Sequence, residues 1–308
     1  LPFPGYHFVE DVVHKYHFTM MAGSSTRYAL IEGSRGCLHN CSFCSQWVFW
    51  QGKWRVKSPK RIADEMQFLY ENYGIRFFWL TDDNFGLSKH TSDLCDEVIK
   101  RGFADDIMWF MQARCDEVVD NRDLLPKLRK SGNRWILLGV ESPSESTLKA
   151  FNKKIRPEDA EKAVKLLKQD DIFAQATLII GERKDSAESI ARLREFVNQI
   201  DPDLAIFMIL TPFPGTKIYR EAERNGWIED TNWAHYDMVH AIMPTEYLTT
   251  TEVQEELYNC YRSFYGSLPR RLKGIFSTNK LKRKTYRYLA GQGVMQELKN
   301  LFWRTSDA

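Results

Sequence analysis

Short apolar runs alternate with amphipathic segments through the first two thirds of the chain. Six runs are nearly continuous in hydrophobic residues and have the length of strands: 28–32, 76–81, 107–112, 135–140, 173–180 and 204–210. Strands that are hydrophobic on both faces are typical of a parallel sheet with helices packed on it. The pattern predicts an α/β protein with six parallel strands, arranged either as an open sheet or as a barrel.

Segments of helical periodicity lie between the apolar runs. The clearest one starts at Ser58 and Pro59, which are favourable at the N-terminus of a helix, and it stops at Gly74. A second such segment starts at Pro157, and its apolar residues also recur on one face. A strand followed by a helix, repeated along the chain, is the arrangement that builds a parallel β/α sheet.

The alternation stops near Gly226, and we predict three regions in the chain. Residues 1–26 form a linker-like N-terminal segment, residues 27–225 form the strand–helix domain, and residues 226–308 form a C-terminal helical region. The helical pattern of the last region is interrupted near Pro269, because proline does not fit a helix interior.

Charge does not point to a nucleic-acid partner, and we expect none. The formal net charge is only +2 over 308 residues. From Ser267 onward the chain has ten Lys or Arg residues but only two acids, Glu297 and Asp307. We interpret this basic end as a solvated surface, and peripheral contact with an anionic membrane is the alternative.

Polar residues and one glycine follow the apolar runs at the points where strands should end. They are Thr81, Asp82, Asp83, Asn84, Gln112, Arg114, Glu141, Gly181 and Thr211. The carboxyl ends of parallel strands meet at one edge of a sheet or at one mouth of a barrel, where α/β enzymes bind their ligands. We therefore predict that the functional site lies at this edge.

Three cysteines follow the first predicted strand, so they open onto the same edge. Cys37, Cys41 and Cys44 have the spacing C-x3-C-x2-C. Thiolates bind zinc, Cu(I) or iron–sulfur clusters, and structural zinc takes four protein ligands, usually as two separated pairs. The sequence has no second CxxC pair, and His39 lies in a loop too tight to supply a fourth ligand easily. A [4Fe–4S] cluster held by three thiolates would leave one iron open to a non-protein ligand.

The other three cysteines are far apart in the sequence. Cys95, Cys115 and Cys260 lie within helical or strand-like patterns, and we interpret them as buried hydrophobic residues. A secreted disulfide framework fits poorly with so long a chain, so a reducing cytoplasm is the expected compartment.

The spacing of the first three cysteines resembles that of the radical S-adenosylmethionine (SAM) superfamily. Phe43 precedes the last cysteine, as is usual in that superfamily, and the resemblance extends over about residues 27–219. It implies a partial (β/α)6 TIM-like barrel with a C-terminal helical extension. It also implies that Cys37, Cys41 and Cys44 hold a [4Fe–4S] cluster whose open iron binds SAM. A reductant such as flavodoxin or ferredoxin would supply the electron that cleaves SAM to methionine and a 5′-deoxyadenosyl radical.

The same resemblance implies cofactor contacts after the second strand. Asp82, Asp83 and Asn84 occupy the loop that usually helps to hold the SAM amino group, and carboxylates are suitable partners for an ammonium ion. The alternative for Asp83 or Asn84 is capping of the following helix.

Further contacts are implied at the later strand ends. Glu141 resembles a position that contacts the ribose or the methionine part of SAM, and Arg114 and Phe43 belong to the same cofactor-binding set. An ion pair between Glu141 and Arg114 is the alternative. Gly181 resembles the strand end beside the adenine, where a glycine lets the base approach the backbone.

Longer segments narrow the resemblance to the cobalamin-binding class of radical SAM enzymes. CSFCSQWVFW resembles the anaerobic Mg-protoporphyrin monomethyl ester cyclases, whereas TPFPGT and HAIMPT resemble the hopanoid C-3 methylases and related lipid methylases. LPFPGYHF resembles the linker that follows their N-terminal cobalamin domain. Cobalamin is therefore an expected cofactor, held together with a domain that is not in this chain.

These resemblances imply an enzyme that functionalises a C–H carbon of an apolar or planar small molecule, with cobalamin-dependent C-methylation as the preferred reaction. Oxidative cyclisation of a porphyrin-type substrate is the second candidate. A non-catalytic iron–sulfur or zinc-binding module is the alternative from another class. An aromatic run follows the cysteines: Trp47, Phe49, Trp50 and Trp54. These rings either line a pocket for substrate or cofactor, or pack the first helix on the barrel.

Overall fold

The fold is built on one parallel sheet. A computed structural model describes residues 2–18 and 26–292. Its strands are β1 (Tyr28–Ile31), β2 (Ser34–Arg35), β3 (Arg55–Val56), β4 (Phe77–Leu80), β5 (Met108–Arg114), β6 (Asn133–Glu141), β7 (Phe173–Ile180) and β8 (Leu204–Ile209). Six of them pair in the order β1-β4-β5-β6-β7-β8, all parallel, and β2 pairs with β3 in a short antiparallel ribbon. The six strands predicted from apolar runs are confirmed.

Helices connect the strands and cover one face of the sheet. They are α1 (Gln46–Phe49), α2 (Pro59–Tyr73), α3 (Lys89–Lys100), α4 (Cys115–Asp120), α5 (Leu125–Lys130), α6 (Glu145–Ala150), α7 (Pro157–Gln169), α8 (Ala187–Ile200), α9 (Lys217–Arg224), α10 (Thr250–Tyr265) and α11 (Leu268–Ile275). The predicted start of α2 is confirmed, since the Ser58 side chain accepts a hydrogen bond from the Arg61 N–H. Its end is confirmed at Gly74, which has a φ of +64°. The start of α7 at Pro157 is confirmed as well.

Successive residues of each strand point to opposite faces of the sheet. The outer face packs under the helices, with side chains such as Trp109, Ile136 and Leu178 fully buried there. At the amino ends of the strands, the inner face carries an aromatic floor, which we define as Phe77, Phe110, Trp135 and Phe173. The ring centroids of Phe110 and Trp135 are 4.4 Å apart, and those of Phe77 and Trp135 are 6.1 Å apart. These rings come from β4, β5, β6 and β7, so their contacts connect four of the six parallel strands.

The open edge of β8 is covered by α10. The Tyr265 hydroxyl accepts from the Ala205 N–H (3.1 Å) and donates to the Ala205 carbonyl (2.7 Å), and Tyr261 makes the same pair with Phe207 (3.3 and 3.0 Å). Four helical residues rise about 6 Å and two strand residues about 6.6 Å, so the two hydroxyls match alternate residues of the strand. The domain boundary predicted near Gly226 stays a prediction, and α10 packs directly on the sheet.

Part of the basic charge at the C-terminal end is neutralised within the fold. Arg270 of α11 pairs with Asp201, and Lys282 pairs with Asp203 at 2.8 Å. Residues 280–292 are helical, and the rest of the predicted helical region, which holds both acids of the basic end, lies outside the described residues. Within the described part of the chain, no helix combines the length and the apolar character needed to cross a bilayer.

Candidate active site

A cavity of about 300 Å³ opens at the carboxyl ends of the strands, at the edge where the sequence predicts the site. Its main lining residues are Cys37, Cys41, Phe43, Cys44, Asp83, Asn84, Gln112, Arg114, Gly139, Glu141, Lys153, Thr177, Ile179, Met208 and Phe213. This volume is at the small end of the range for small-molecule sites. Eight of the ten predicted site residues line the cavity, and two of them, Asp82 and Gly181, do not.

The cysteine loop between β2 and α1 is fixed to its surroundings mainly by Ser42. The Ser42 N–H donates to the carbonyl of Phe151 (2.8 Å), and the Ser42 hydroxyl donates to the carbonyl of Ala150 (2.9 Å). At the start of the loop, Gly36 has a φ of +90°, and a Cβ there would clash with the carbonyl oxygen of Lys53. Only glycine therefore allows the loop to lie this close to the turn after α1.

All three loop cysteines reach the cavity. Burial raises the pKa of Cys37, Cys41 and Cys44, for Cys44 to about 11. Among residues 2–18 and 26–292, no three His, Cys, Asp or Glu side chains converge as the ligands of a single metal ion do. In a [4Fe–4S] cluster each cysteine binds a different iron, so its ligands surround the cluster instead of meeting at one point. Three thiols on the wall of one cavity fit a cluster of this kind.

A buried ion pair between Glu141 and Lys153 forms another part of the wall. Lys153 Nζ donates to Glu141 Oε1 at 2.7 Å, and the two side chains are only 9% and 6% exposed. Burial opposes the charge of the lysine, but the negative charges of Glu141 and Cys41 and the hydrogen bond to Glu141 together outweigh it, so the pKa of Lys153 is raised. The alternative pairing of Glu141 with Arg114 is wrong. Arg114 pairs with Asp116 (2.9 Å) and donates to the Lys153 carbonyl (2.8 Å).

The backbone around this ion pair has an uncommon conformation. Glu141 has a φ of +64° and lies at a register shift between β6 and β7. Such a conformation costs a residue with a side chain about 1–2 kcal/mol, so its surroundings must hold it. Gly139 leaves the room for the pair, since a Cβ there would lie 2.5 Å from Lys153 Nζ and 2.7 Å from Glu141 Oε1. The two charged groups are thereby held against the cavity wall.

The three polar residues after β4 point in different directions. Asp82 turns away from the cavity, where its Oδ2 accepts from the Gly33 N–H at 3.0 Å and its side chain is almost fully buried. Burial raises the pKa of Asp82 to about 6. Asp83 and Asn84 line the cavity as predicted. The alternative that one of them caps the next helix is wrong, because Ser88 is the residue that precedes α3.

Gly181 belongs to the helix side of the sheet. It ends β7 with a φ of +83°, and its N–H donates to Asp185 Oδ2 at 2.9 Å. A Cβ at this position would meet the Val253 side chain of α10 at 3.2 Å. Ile179, two residues earlier on the strand, lines the cavity in its place. The strand was therefore correctly identified, but its cavity-facing residue was not.

Two charged residues here had no signal in the sequence: Lys153, which lines the cavity, and Glu117, which contacts lining residues. Glu117 Oε1 accepts from Asn84 Nδ2 at 2.9 Å and lies 3.4 Å from His39 Nε2. Glu117 lies in α4 directly after β5, and Lys153 follows α6, and neither residue belongs to a recognisable motif. Lys153 comes twelve residues after Glu141, in the segment after β6 that returns to the site.

The aromatic run after the cysteines lies beside this cavity. Phe49 and Trp50 border a neighbouring cavity of about 480 Å³, which shares Asp83 with the first one. Phe49 is 72% exposed. Trp54 makes an edge-on contact with His90, with 6.1 Å between ring centroids. The run therefore contains both packed rings and a ring open to solvent.

Known proteins resemble this chain in sequence. The profile of the radical SAM superfamily matches residues 31–197, more than half of the chain. The anaerobic magnesium-protoporphyrin IX monomethyl ester cyclase of Cereibacter sphaeroides is 34% identical over 240 residues, which are 78% of this chain and 39% of that protein. The hopanoid C-3 methylase of Methylococcus capsulatus is 27% identical over 251 residues, which are 82% of this chain and 47% of that protein. The chain thus spans less than half the length of either relative.

A solved structure agrees in fold. The cobalamin-dependent S-adenosylmethionine radical enzyme OxsB, with aqua-cobalamin bound, matches with a TM-score of 0.62 at 16% identity, over 85% of this chain and 45% of that one. At this identity the likeness concerns the fold, and the predicted partial TIM-like barrel is confirmed. Both relatives that the sequence segments suggested, a cyclase and a hopanoid methylase, are among the matches. The chain belongs to the radical SAM superfamily.

Proposed function

We propose that this chain is the SAM-binding barrel of a cobalamin-dependent radical SAM enzyme that functionalises a C–H carbon of an apolar or planar small molecule. One observation carries the proposal. The three loop cysteines and the buried ion pair of Glu141 and Lys153 line the same cavity, at the carboxyl ends of the strands. Family membership supports it. Cobalamin is supported by the fold shared with OxsB, and it would be held with a domain outside this chain.

The residues of the cavity have distinct tasks in this proposal. When bound, the cluster and SAM together supply the one-electron cleavage that yields methionine and a 5′-deoxyadenosyl radical. The three loop cysteines would hold the cluster. Asp83 and Asn84 would accept hydrogen bonds from the SAM ammonium group, Lys153 would face its carboxylate, and Glu141 would accept from its ribose hydroxyls.

The remaining wall of the cavity is apolar. Phe43, Ile179, Met208 and Phe213 line it, and the Phe43 ring packs edge-on against Phe151 with 5.1 Å between centroids. Such a wall would keep water away from a reactive carbon radical. Gly181 and Asp82 do not line the cavity. They would influence its shape indirectly, Gly181 through the end of β7 and Asp82 through the backbone after β1.

The proposal is tested by anaerobic reconstitution with iron and sulfide, followed by addition of SAM and dithionite. We expect about four irons and four sulfides per chain, as a [4Fe–4S] cluster requires, and formation of 5′-deoxyadenosine. Cys41→Ala should lose both cluster and product. Cys95→Ala, which removes a buried thiol far from the loop, should keep both. One zinc without sulfide would contradict the proposal and favour the non-catalytic alternative.

The type of reaction is a second question. The segments TPFPGT and HAIMPT favour methylation, whereas the higher identity to the cyclase favours oxidative ring closure. SAM with a deuterated methyl group distinguishes methylation from ring closure. The experiment uses this chain joined to a cobalamin domain. Transfer of the label to an added lipid or porphyrin substrate indicates methylation. Conversion of Mg-protoporphyrin monomethyl ester into an unlabelled product with an additional ring indicates cyclisation.

We propose a reducing cytoplasm as the compartment, and free cysteines and an iron–sulfur cluster that needs protection from oxidants support it. Peripheral membrane contact through the basic C-terminal region stays part of the proposal. Sedimentation with anionic vesicles tests it, and neutral vesicles are the control.

A further inference from the structure

A groove of about 620 Å³ outside the main cavity also reaches the cysteine loop. Cys41 and Cys44 border both the groove and the cavity, whereas Cys37 borders only the cavity. Two of the three thiols thus form a thin wall between the site and the protein surface. The groove has a second wall from α6 and the residues after it, and a third wall from the start of α9.

All charged side chains that line the groove are basic: Lys149, Lys217 and Arg220. The three side chains are exposed. None of them forms an ion pair with a carboxylate of residues 2–18 or 26–292, and Arg220 donates to the Gly215 carbonyl at 2.7 Å. The lining of the groove therefore carries three positive charges and no negative one, although the net charge of the whole chain is only +2.

The lining of the groove also has an apolar part. It consists of Trp47, Val48 and Ala150, and Val48 is 46% exposed. A small apolar contact surrounded by charges of one sign is typical of short-lived complexes between redox proteins, which bury little surface and rely on complementary charge. The charge of the groove favours an acidic partner.

We propose that this basic groove is the docking surface of an acidic one-electron donor protein, a low-potential flavoprotein or iron–sulfur protein. The inference rests on the proposed function, since it assigns the partner of the same cluster. One electron leaves the reduced donor and enters the cluster, and no proton or group is transferred. An electron that arrives at Cys41 or Cys44 from the groove does not have to pass through the cavity, which SAM and substrate would fill.

The test uses the reconstituted protein and a purified acidic bacterial flavodoxin as the probe. The charge-reversal variant K149E/K217E/R220E should bind flavodoxin about tenfold more weakly than the unaltered protein at low salt. The difference should shrink as salt is raised, because screening removes the electrostatic part of the attraction. The neutral variant K149Q/K217Q/R220Q should lie between the two, and thermal melting checks that all variants are folded.

A second readout is the rate of cluster reduction in a stopped-flow experiment. In the charge-reversal variant, reduction by flavodoxin hydroquinone at a concentration below saturation should be about tenfold slower, whereas reduction by dithionite should change far less. The matched control is K130E/K162E/K165E, which makes the same change of charge on exposed residues of α5 and α7. It should bind and accept electrons nearly as well as the unaltered protein.

Two results would overturn the inference. One is unchanged flavodoxin binding and reduction in the charge-reversal variant, and the other is an equal loss in the control variant. Failure of the proposed function has a different signature. In that case the unaltered protein assembles no cluster, or forms no 5′-deoxyadenosine with dithionite, whatever its affinity for flavodoxin.

Discussion

The two halves of the inner face of the sheet are built differently. Along β6 the residues that face inward are Trp135, Leu137, Gly139 and Glu141. The side chains therefore become smaller along the strand, from tryptophan to glycine, and the last one is charged. Trp135 belongs to the aromatic floor, and the other three line the cavity. The same alternation of strand residues thus produces a filled half and an open half.

The comparison separates stability from function. Rings in the floor bury large apolar areas and touch one another, which is a strong contribution to folding. The cavity half holds an ion pair whose burial contributes little net stability, since desolvation offsets most of the attraction. We therefore expect changes in the floor to reduce stability alone, and changes in the cavity half to reduce activity even where stability is restored.

The largest effect is expected from Lys153→Met. The change leaves the Glu141 carboxylate buried without its partner, which should lower the free energy of unfolding by about 3–5 kcal/mol. SAM cleavage should be lost as well. Urea denaturation measures the first effect, and 5′-deoxyadenosine formation measures the second.

The double variant K153M/E141Q separates the effect on stability from the effect on SAM cleavage. Without the buried charge, much of the stability should return, but SAM cleavage should stay lost. Recovery of full activity in the double variant would show that the ion pair serves the fold only.

Trp135→Ala should have a similar effect on stability and a much smaller one on chemistry. Removing this ring from the aromatic floor should cost about 3–5 kcal/mol, because the site cannot collapse around so large a loss. The change also leaves Gln175 Oε1 without the indole N–H that now donates to it at 2.9 Å. At low temperature, where the variant is folded, the SAM affinity should be close to normal. A variant that is stable but binds no SAM would contradict the comparison.

Asp82 should make stability depend on pH. Its pKa in the folded protein is about 6, above its value in the unfolded chain, so its contribution is favourable below about pH 4 and is lost as pH rises through 6. Asp82→Asn keeps an acceptor for the Gly33 N–H and cannot ionise. At pH 8 the variant should be more stable than the unaltered protein by about 2 kcal/mol, with little difference at pH 4. Urea denaturation at both pH values is the measurement, and equal profiles would contradict the prediction.

The smallest effect is expected at the β8 edge. Tyr261→Phe and Tyr265→Phe each remove a hydroxyl that satisfies both polar groups of one strand residue, at a cost of about 1–2 kcal/mol. Tyr258→Phe is the matched control, because this tyrosine is on the same helix and is 54% exposed. In thermal denaturation, the control should unfold at nearly the same temperature as the unaltered protein. An equally large loss of stability in the control would contradict the role given to the Tyr261 and Tyr265 hydroxyls.

Much of the fold and part of the site were predictable because local patterns report them. Apolar runs identified the six strands, since strands buried on both faces consist mostly of hydrophobic residues. The cysteine motif is contiguous, so its spacing carried the family resemblance that implied a cluster. Strand direction then placed the cysteines, Asp83 and Glu141 at one edge. Extending the alternation of β4 past Trp79 would also have separated Asp83, which faces inward, from Asp82.

Tertiary structure alone decided which charges meet. Lys153, and not Arg114, became the partner of Glu141, because a loop without periodicity returns to the strand end and Gly139 leaves room for it. The sealing of β8 by α10 depends on contacts between residues more than fifty positions apart, as for Tyr261 and Phe207. By itself, the sequence determined the strands and the cluster motif, which are local. Partners of buried charges and of open strand edges come from distant segments, so only the folded chain determines them.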